Sequence, residues 1–209
     1  TGGTNYGSFD IGSQGYGAYT MSNGVSYATS FSIGHGGSYF QAGGSQTVTG
    51  TINIDEQQVS YGSYEGGSFN FNDGQISASG LYSKGYYNQT GGTNVISGDI
   101  TMAGLEDTSL TIFDGLLAAN NLNVSPGFIG GVFVSGGTLI ITNTLSVGGS
   151  SYFPEWHGFT GGGELVVSNI SLAPDAIFSC GNGVIKQSGT ITLANAVCNL
   201  YWKLTLNAG

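Results

Sequence analysis

The sequence predicts an all-β fold, a single-domain parallel β-helix (solenoid) over residues 1–209. Two observations predict it. Glycines recur along the whole chain at intervals of roughly 23 residues, the size of one solenoid coil with three short strands. Between these glycines, apolar residues alternate with polar ones over short stretches, a period of two that is typical of half-buried strands. No single coil buries its apolar face alone, so we expect about nine coils to stack on one another.

Nine glycines mark the expected turns, and large side chains precede them. The marker glycines are Gly3, Gly24, Gly44, Gly67, Gly92, Gly115, Gly137, Gly163 and Gly189. A short strand before each marker carries Tyr19, Tyr39, Tyr64, Tyr87, Phe113, Phe133, Phe159 or Ile185, which we expect to stack as one column. Each marker is followed by an inward apolar residue and then by a corner formed by Gly, Asn or Asp. A second strand with alternating apolar residues comes after the corner. Each coil is therefore expected to hold three short strands.

Equivalent positions in stacked coils lie about 4.8 Å apart and form ladders. The corner positions Asn121, Asn143, Asn169 and Asn195 are predicted to form an asparagine ladder. Their side-chain amides would hydrogen-bond along the solenoid axis and satisfy polar groups that the strands leave unpaired.

Composition narrows the functional classes. Charged residues make up only 7% of the chain, while 39% is hydrophobic and 39 residues are glycine. Such a chain is too apolar for a disordered tail and too rich in glycine for ordinary helices. The net charge of −9 repels phosphate backbones and anionic lipid headgroups, so we expect no nucleic-acid partner. No apolar run approaches the roughly 20 residues of a membrane-spanning helix, so we expect no membrane insertion.

Three phrases carry a family resemblance: "GAYTMSNG", "FSIGHGGSYFQAGGSQTVTGTINI" and "YYNQTGGTNVISGDITMAG". They resemble the Gly-Tyr-x-Gln-x-Gly-Gly-Thr repeats of bacterial secreted β-helical proteins, which include autotransporter passengers and filamentous-haemagglutinin-like adhesins. The resemblance implies a right-handed parallel β-helix that is secreted or displayed on a bacterial cell surface. Copies from Leu110 onward depart from the Gln-x-Gly-Gly pattern.

Catalytic and metal sites have little support in the sequence. Asp73 and Asp99 are expected to adjoin the same corner in adjacent coils, which makes them the one carboxylate pair suited to a polysaccharide lyase or hydrolase. The alternative is that both acids form turns on a solvated edge. His35 and His157 have no partner at metal-ligand spacing. We therefore expect a protein that is not an enzyme and has no cofactor, with a calcium ion near Asp73 as the one weak exception.

An insertion at 150–160, "SSYFPEWHGFT", lengthens one coil and concentrates aromatic residues. It contains Tyr152, Phe153, Glu155, Trp156 and His157. Long loops are where solenoids bind their ligands, so this one is a candidate contact for a glycan or a neighbouring subunit. The alternative is that its aromatic rings fold back over the core.

Cys180 and Cys198 are the only cysteines. An even count in an exported protein favours a disulfide, which would clamp the C-terminal end, 180–209, by about 3 kcal/mol. Two separate buried thiols are the alternative.

The sequence has no obvious cap at either end. It opens on "TGGTNYGSFDIG" and stops after the strand-like "LYWKLTLNAG". Either it is a slice of a longer protein, or the coil of one subunit stacks head to tail on the next. We favour an extracellular structural protein, a self-assembling cell-surface filament or matrix subunit. The second hypothesis is an adhesin stalk or passenger segment that binds a glycan or receptor through 150–160, and the third is a polysaccharide lyase or hydrolase.

Overall fold

A computed structural model of the chain describes most of its residues. The described ranges are 4–13, 15–60, 63–103, 108–126, 130–148, 157–159, 162–174, 176–180, 183–193, 197–200 and 204–206. Within these ranges the regular structure is entirely β-strand. No helix in this part of the chain is long and apolar enough to cross a membrane.

The strands are short, and several turn a corner without interruption. In chain order they are β1 (Thr4–Ile11), β2 (Gly17–Met21), β3 (Val25–Ile33), β4 (Gly37–Gln41), β5 (Ser45–Ile54), β6 (Glu56–Ser60), β7 (Ser63–Gly66), β8 (Ser68–Phe71), β9 (Gln75–Ser83), β10 (Tyr86–Ile96) and β11 (Asp99–Met102). They continue with β12 (Thr108–Ala119), β13 (Asn121–Val124), β14 (Gly130–Val134), β15 (Thr138–Val147), β16 (His157–Phe159), β17 (Glu164–Leu172), β18 (Ile177–Cys180), β19 (Val184–Gln187), β20 (Ile191–Leu193), β21 (Val197–Leu200) and β22 (Leu204–Leu206).

These strands lie on three faces, which we call A, B and C. Face A contains β2, β4, β8, the first parts of β10 and β12, and β14. Face B contains the first parts of β1, β3, β5, β9, β15 and β17, the second parts of β10 and β12, and β19 and β22. Face C contains the second parts of β1, β3, β5, β9, β15 and β17, with β11, β13 and β20. Strands β16, β18 and β21 form a further parallel set.

Neighbouring strands on each face are parallel and in register. One outward column on face B reads Tyr6, Tyr27, Thr47, Ser77, Val95, Ala118, Ile140, Val166, Lys186 and Thr205. Successive members are on average about 22 residues apart, close to the predicted length of one coil. The predicted parallel β-solenoid with short strands on three faces is confirmed.

One insertion breaks the parallel pattern. β6 and β7 form an antiparallel hairpin, with Gln57 opposite Glu65, at the corner where face C leads to face A. The hairpin lengthens this coil to the 30 residues between Thr47 and Ser77, whereas the next coil, from Ser77 to Val95, takes 18. Residues 38–56 and the similar segment 86–104 are therefore two coils apart.

Two of the predicted marker glycines are wrong. Ser45 pairs with Gln75, so the equivalent of Gly44 is Gly74 and not Gly67, which precedes face A instead. Likewise Glu164 pairs with Val184, so the equivalent of Gly163 is Gly183 and not Gly189. Both errors arise because glycines also occur at the other corners of the same coils.

The aromatic column is shorter than predicted. Tyr19, Tyr39, Phe69 and Tyr87 stack on face A at centroid distances of 5.7, 4.7 and 5.3 Å. The next two inward positions are Leu110 and Val132. Four other predicted members lie elsewhere: Tyr64 in the hairpin, Phe113 exposed at a turn, Phe133 on the outward side of β14, and Ile185 inward on face B. The core is therefore aromatic and partly polar in the early coils and aliphatic in the later ones.

Candidate functional site

The insertion at 150–160 lies mostly outside the described residues. Tyr152, Phe153, Glu155 and Trp156 belong to that part of the chain. His157 begins β16, and its register partner is Phe178 on β18. A glycan or subunit contact at this insertion stays a prediction.

The backbone register does not favour the Cys180–Cys198 disulfide. Cys198 pairs with Phe178, and Cys180 pairs with Leu200. The two cysteines therefore stand two positions apart on adjacent strands, which places their Cα atoms roughly 8 Å from each other at ordinary strand spacing. Disulfides usually join Cα atoms that are about 4.4–6.8 Å apart. The Cys180–Cys198 disulfide stays a prediction.

The expected proximity of Asp73 and Asp99 is wrong. Asp73 lies at the corner from face A to face B, one residue before Gly74, and its Oδ1 accepts a hydrogen bond from the Gly74 N–H at 2.7 Å. Asp99 lies at the corner from face B to face C, on β11. The error follows from the misplaced marker Gly67, which shifted Asp73 into the wrong column.

Asp73 has a structural role that two other coils share. Asn23 and Asp114 stand at the equivalent corner, and each accepts a hydrogen bond from the following glycine N–H through Oδ1. Among the described residues, no three His, Cys, Asp or Glu side chains come together in a group that could hold a metal ion.

The predicted asparagine positions are linked by hydrogen bonds at the corner from face B to face C. Asn121 Nδ2 donates to Asp99 Oδ1 at 2.7 Å, and Asn143 Nδ2 donates to Asn121 Oδ1 at 3.0 Å. Asn169 Nδ2 donates to the Asn143 carbonyl at 3.3 Å, and its Oδ1 accepts from the Thr190 N–H at 2.9 Å. The chain of contacts therefore extends across five coils, with an aspartate at its start. Asn195 lies outside the described residues.

Replacing Asn121 with aspartate is expected to destabilise the solenoid by about 1–2 kcal/mol at pH 7, because a carboxylate would then face the Asp99 carboxylate in place of the amide donor. Like-charge contact raises the pKa of such a pair in the folded state, so the loss should shrink as pH falls below about 4. Urea unfolding at pH 7 and pH 3.5 measures this. The control is Asn123→Asp, an outward position on the same strand. An equal loss of stability for both variants, or a loss independent of pH, would contradict a role of the Asn121–Asp99 hydrogen bond in stability.

A buried tyrosine–glutamine pair explains the repeated Tyr-x-Gln-x-Gly-Gly phrase. Tyr39 Oη donates to Gln41 Oε1 at 2.6 Å, and Tyr87 Oη donates to Gln89 Oε1 at 2.8 Å. All four side chains are fully buried. Each glutamine amide then donates to backbone carbonyls of the adjoining turn, for Gln89 those of Gly92 and Leu116. The motif therefore satisfies the inner side of the turn between faces A and B.

A third side chain joins the second copy of this pair. Asn94 Nδ2 donates to Tyr87 Oη at 2.7 Å, and Asn94 is also fully buried. The Tyr87 hydroxyl thus both donates and accepts, while no solvent reaches it. The sequence did not single out Asn94, although a lone asparagine at an inward, otherwise apolar position of face B is a signal for a buried polar partner.

Burial raises the pKa of Tyr39 and of Tyr87 well above the usual value near 10. For Tyr39, loss of solvation is the main cause and the charge of Tyr19 adds to it. For Tyr87, loss of solvation is again the main cause, and the hydrogen bond with Asn94 opposes it. Both groups therefore stay protonated in the folded protein at a pH where the unfolded chain ionises.

Stability should consequently fall steeply above about pH 10. Two protons retained by the folded state and lost by the unfolded state give a slope of about −2.7 kcal/mol per pH unit, whereas stability below pH 10 is unaffected by these groups. Urea unfolding at pH 9, 10.5 and 11 measures the slope. The double variant Tyr39→Phe/Tyr87→Phe should lower the stability at pH 9 but flatten the slope above pH 10. An unchanged slope in that variant would show that other groups cause the alkaline loss.

The first and last described strands of the solenoid each have a described partner on one side only. Among the described strands, β1 pairs only with β3, and β2 pairs only with β4. At the opposite end, β20, β21 and β22 each pair only with a strand of the preceding coil. Among the described strands, those at each end therefore pair on one side only, and the strands at the two ends run in the same direction.

The edge formed by β1 and β2 is rich in tyrosine. Tyr6 is 77% exposed and stacks on Tyr27 at 5.2 Å with an interplanar angle of 9°. Tyr19 stacks on Tyr39 and also lines a cavity of about 310 Å³ against β2. Ser26 lines the same cavity, and its buried Oγ has no hydrogen-bond partner in the structure. This edge has aromatic faces and polar groups that a further strand could cover.

Comparison with protein-family models, curated proteins and solved structures yields no match to this chain. Its function is therefore argued from the fold and from the edges alone.

Proposed function

We propose that this chain is an extracellular structural protein, a self-assembling filament or matrix subunit whose solenoids stack end to end. It would belong with the bacterial secreted β-helical proteins that its repeats resemble. The observation that carries the proposal is that the first and last described strands run parallel and each have a described partner on one side only.

Stacking follows from the physical properties of such edges. An unpaired strand edge presents a row of N–H and C=O groups that readily pairs with another chain, and solenoids ordinarily cover it. Because the two ends have the same strand direction, a second copy placed on the first continues the parallel register. The contact joins unlike surfaces, so it does not close on itself and produces a filament.

The side chains at the first edge suit this contact. Phe9 stacks on Phe31 at 5.5 Å, and Tyr19 stacks on Tyr39, so both rings belong to ladders along the axis. Phe9 and Tyr19 are only partly buried, although both pack against the hydrophobic core. A further strand on either face would cover them and add apolar burial to the hydrogen bonds of the backbone.

Charge should make assembly depend on salt. Each copy has a net charge of −9, so stacked copies repel one another at low ionic strength. The Debye length falls from about 30 Å at 0.01 M salt to about 8 Å at 0.15 M, which screens most of this repulsion. We expect longer filaments at the higher salt concentration.

The test is negative-stain electron microscopy together with sedimentation velocity over a concentration series. The wild-type chain should form filaments that lengthen with concentration. Phe9→Lys should give short single rods, because the lysine is hydrated at a free end but buried in a stack. The matched control is Tyr6→Lys, which adds the same charge to the outward side of the same strand and should still form filaments.

Far-UV circular dichroism checks that both lysine variants keep their β-structure. A wild-type chain that remains monodisperse short rods at high concentration would overturn the proposal. So would filaments that form equally well with Phe9→Lys, since the edge of β1 would then not be the contact.

A further inference from the structure

A concave corner lies where face C leads to face A in the early coils. Its cavity has a volume of about 230 Å³ and is lined by Ser13, Ser32, Gly34, His35, Asp55 and Glu56. We call it the corner cavity. These residues come from successive coils, so the stacking of coils creates a site that no single coil contains.

The lining offers hydrogen-bond donors and acceptors of several kinds. Ser13 Oγ donates to Asp10 Oδ2 at 2.8 Å. Asp55 Oδ1 accepts from the Glu56 N–H at 3.0 Å and lies 3.9 Å from Lys84 Nζ, while the Asp55 side chain remains 61% exposed. The imidazole of His35 is half-buried in the same wall. Hydroxyl, carboxylate and imidazole groups therefore face one small volume.

An exposed aromatic ring stands beside the cavity. Tyr16 is 90% exposed, and its ring rests on Gly36, the neighbour of His35. A Cβ at position 36 would lie 2.9 Å from Tyr16 Cδ1, and Gly36 has a φ of +69°, so only glycine lets the ring lie there without strain. Tyr16 is not part of the cavity wall, but its ring lies against Gly36, the residue that follows His35 of the wall.

The antiparallel hairpin begins at the same corner. Glu56 lines the cavity and is also the first residue of β6. Insertions on a regular scaffold are where solenoids commonly bind their ligands. The hairpin and the cavity therefore coincide in a part of the molecule that departs from the repeat.

We infer that the corner cavity and Tyr16 bind a neutral saccharide. An aromatic platform beside a few convergent polar groups suits a sugar ring, which has an apolar face of C–H groups and an edge of hydroxyl groups. The volume corresponds to roughly seven or eight water molecules, the scale of one sugar unit. The carboxylates of Asp55 and Glu56 disfavour an anionic ligand, and within the described residues no three metal-ligating side chains come together.

The inference does not depend on end-to-end assembly, because Ser32, His35, Asp55 and Glu56 lie in later coils, although Ser13 and Tyr16 connect β1 to β2 in the first coil. Isothermal titration calorimetry tests it with maltohexaose, laminarihexaose and mannohexaose, and this readout works for single rods and for filaments. At least one of these oligosaccharides should bind the wild-type chain. Tyr16→Ala should weaken binding about tenfold, whereas Tyr16→Phe should retain it because the ring provides the platform.

Tyr6→Ala is the matched control, since Tyr6 is also an exposed tyrosine but lies on face B. It should bind within about twofold of the wild type, while Asp55→Asn should bind less tightly than the wild type. Absence of binding for all three oligosaccharides would overturn the inference. Equal losses for Tyr6→Ala and Tyr16→Ala, or full binding by Tyr16→Ala, would overturn it as well.

Discussion

Replacing Gln89 with alanine is expected to destabilise the solenoid by about 3–5 kcal/mol. The side chain is fully buried; its Oε1 accepts from Tyr87 Oη, and its Nε2 donates to the carbonyls of Gly92 and Leu116. Alanine leaves the Tyr87 hydroxyl hydrogen and both carbonyls without these partners, and it leaves a void as well. Each buried polar group that loses its partner costs about 1–3 kcal/mol, so the several losses together give a large effect.

Asn88→Ala is the control for this variant. Asn88 is the preceding residue, points outward, and makes one side-chain hydrogen bond, to Asn70 Oδ1 at 3.2 Å. Loss of this hydrogen bond should lower the free energy of unfolding by less than about 1 kcal/mol, because solvent can replace a bond on the surface. Urea unfolding followed by circular dichroism compares the two variants at pH 7. Similar losses for both would mean that the buried network does not stabilise the turn.

The sequence predicted the repeat well wherever a local rule applies. Strict alternation identifies the inward residues of face C, such as Ile52, Ile54, Ile100 and Met102, and all four are buried. Gln41 and Gln89 occupy equivalent positions two coils apart. Each glutamine satisfies polar groups of the turn between faces A and B in its own coil. The coil between them has Phe71 at the equivalent position, where an apolar side chain fills the space.

The register of the early coils could not be derived from local rules. The hairpin of β6 and β7 ends in Gly66 and Gly67, and a glycine pair looks the same there as at the corner that Gly74 occupies. Only the pairing of Ser45 with Gln75 distinguishes the two glycines. One misplaced corner assigns the residues that follow it to the wrong column. The expected contact between Asp73 and Asp99 was therefore wrong as well.

The corner cavity could not be predicted from the sequence for a related reason. Ser13, His35 and Glu56 lie in different coils, and their proximity depends on the length of each coil and on the position of the hairpin. None of the three stands out in a composition of many serines and few charges. Tyr16 would not have been singled out either, because exposure cannot be seen in a glycine-rich turn without knowing that its ring rests on Gly36.

Replacing Gly74 with alanine is expected to destabilise the solenoid by about 3 kcal/mol or more. Gly74 has a φ of +97°, a left-handed conformation that costs an alanine about 1–2 kcal/mol. The added Cβ would also press against the Gly44 carbonyl oxygen and lie 2.9 Å from the Gly43 carbonyl carbon. Both contacts are with backbone, so no side chain can rotate away. Gly44 itself has a φ of +80°, and relief would require two stacked turns to move together.

Gly162→Ala is the matched control, because Gly162 also belongs to a turn from face A to face B. Among the described residues, a Cβ there would find only the Ser135 carbonyl oxygen, at 3.8 Å, and the backbone is not left-handed. Alanine at this position should be neutral or stabilising by up to about 1 kcal/mol, since it restricts the unfolded chain. Urea unfolding of the two variants measures the difference. If Gly74→Ala unfolded at the same urea concentration as Gly162→Ala, the turns between coils would be loose enough to accept a side chain. The close backbone stacking that defines this solenoid would then not be what holds neighbouring coils in register.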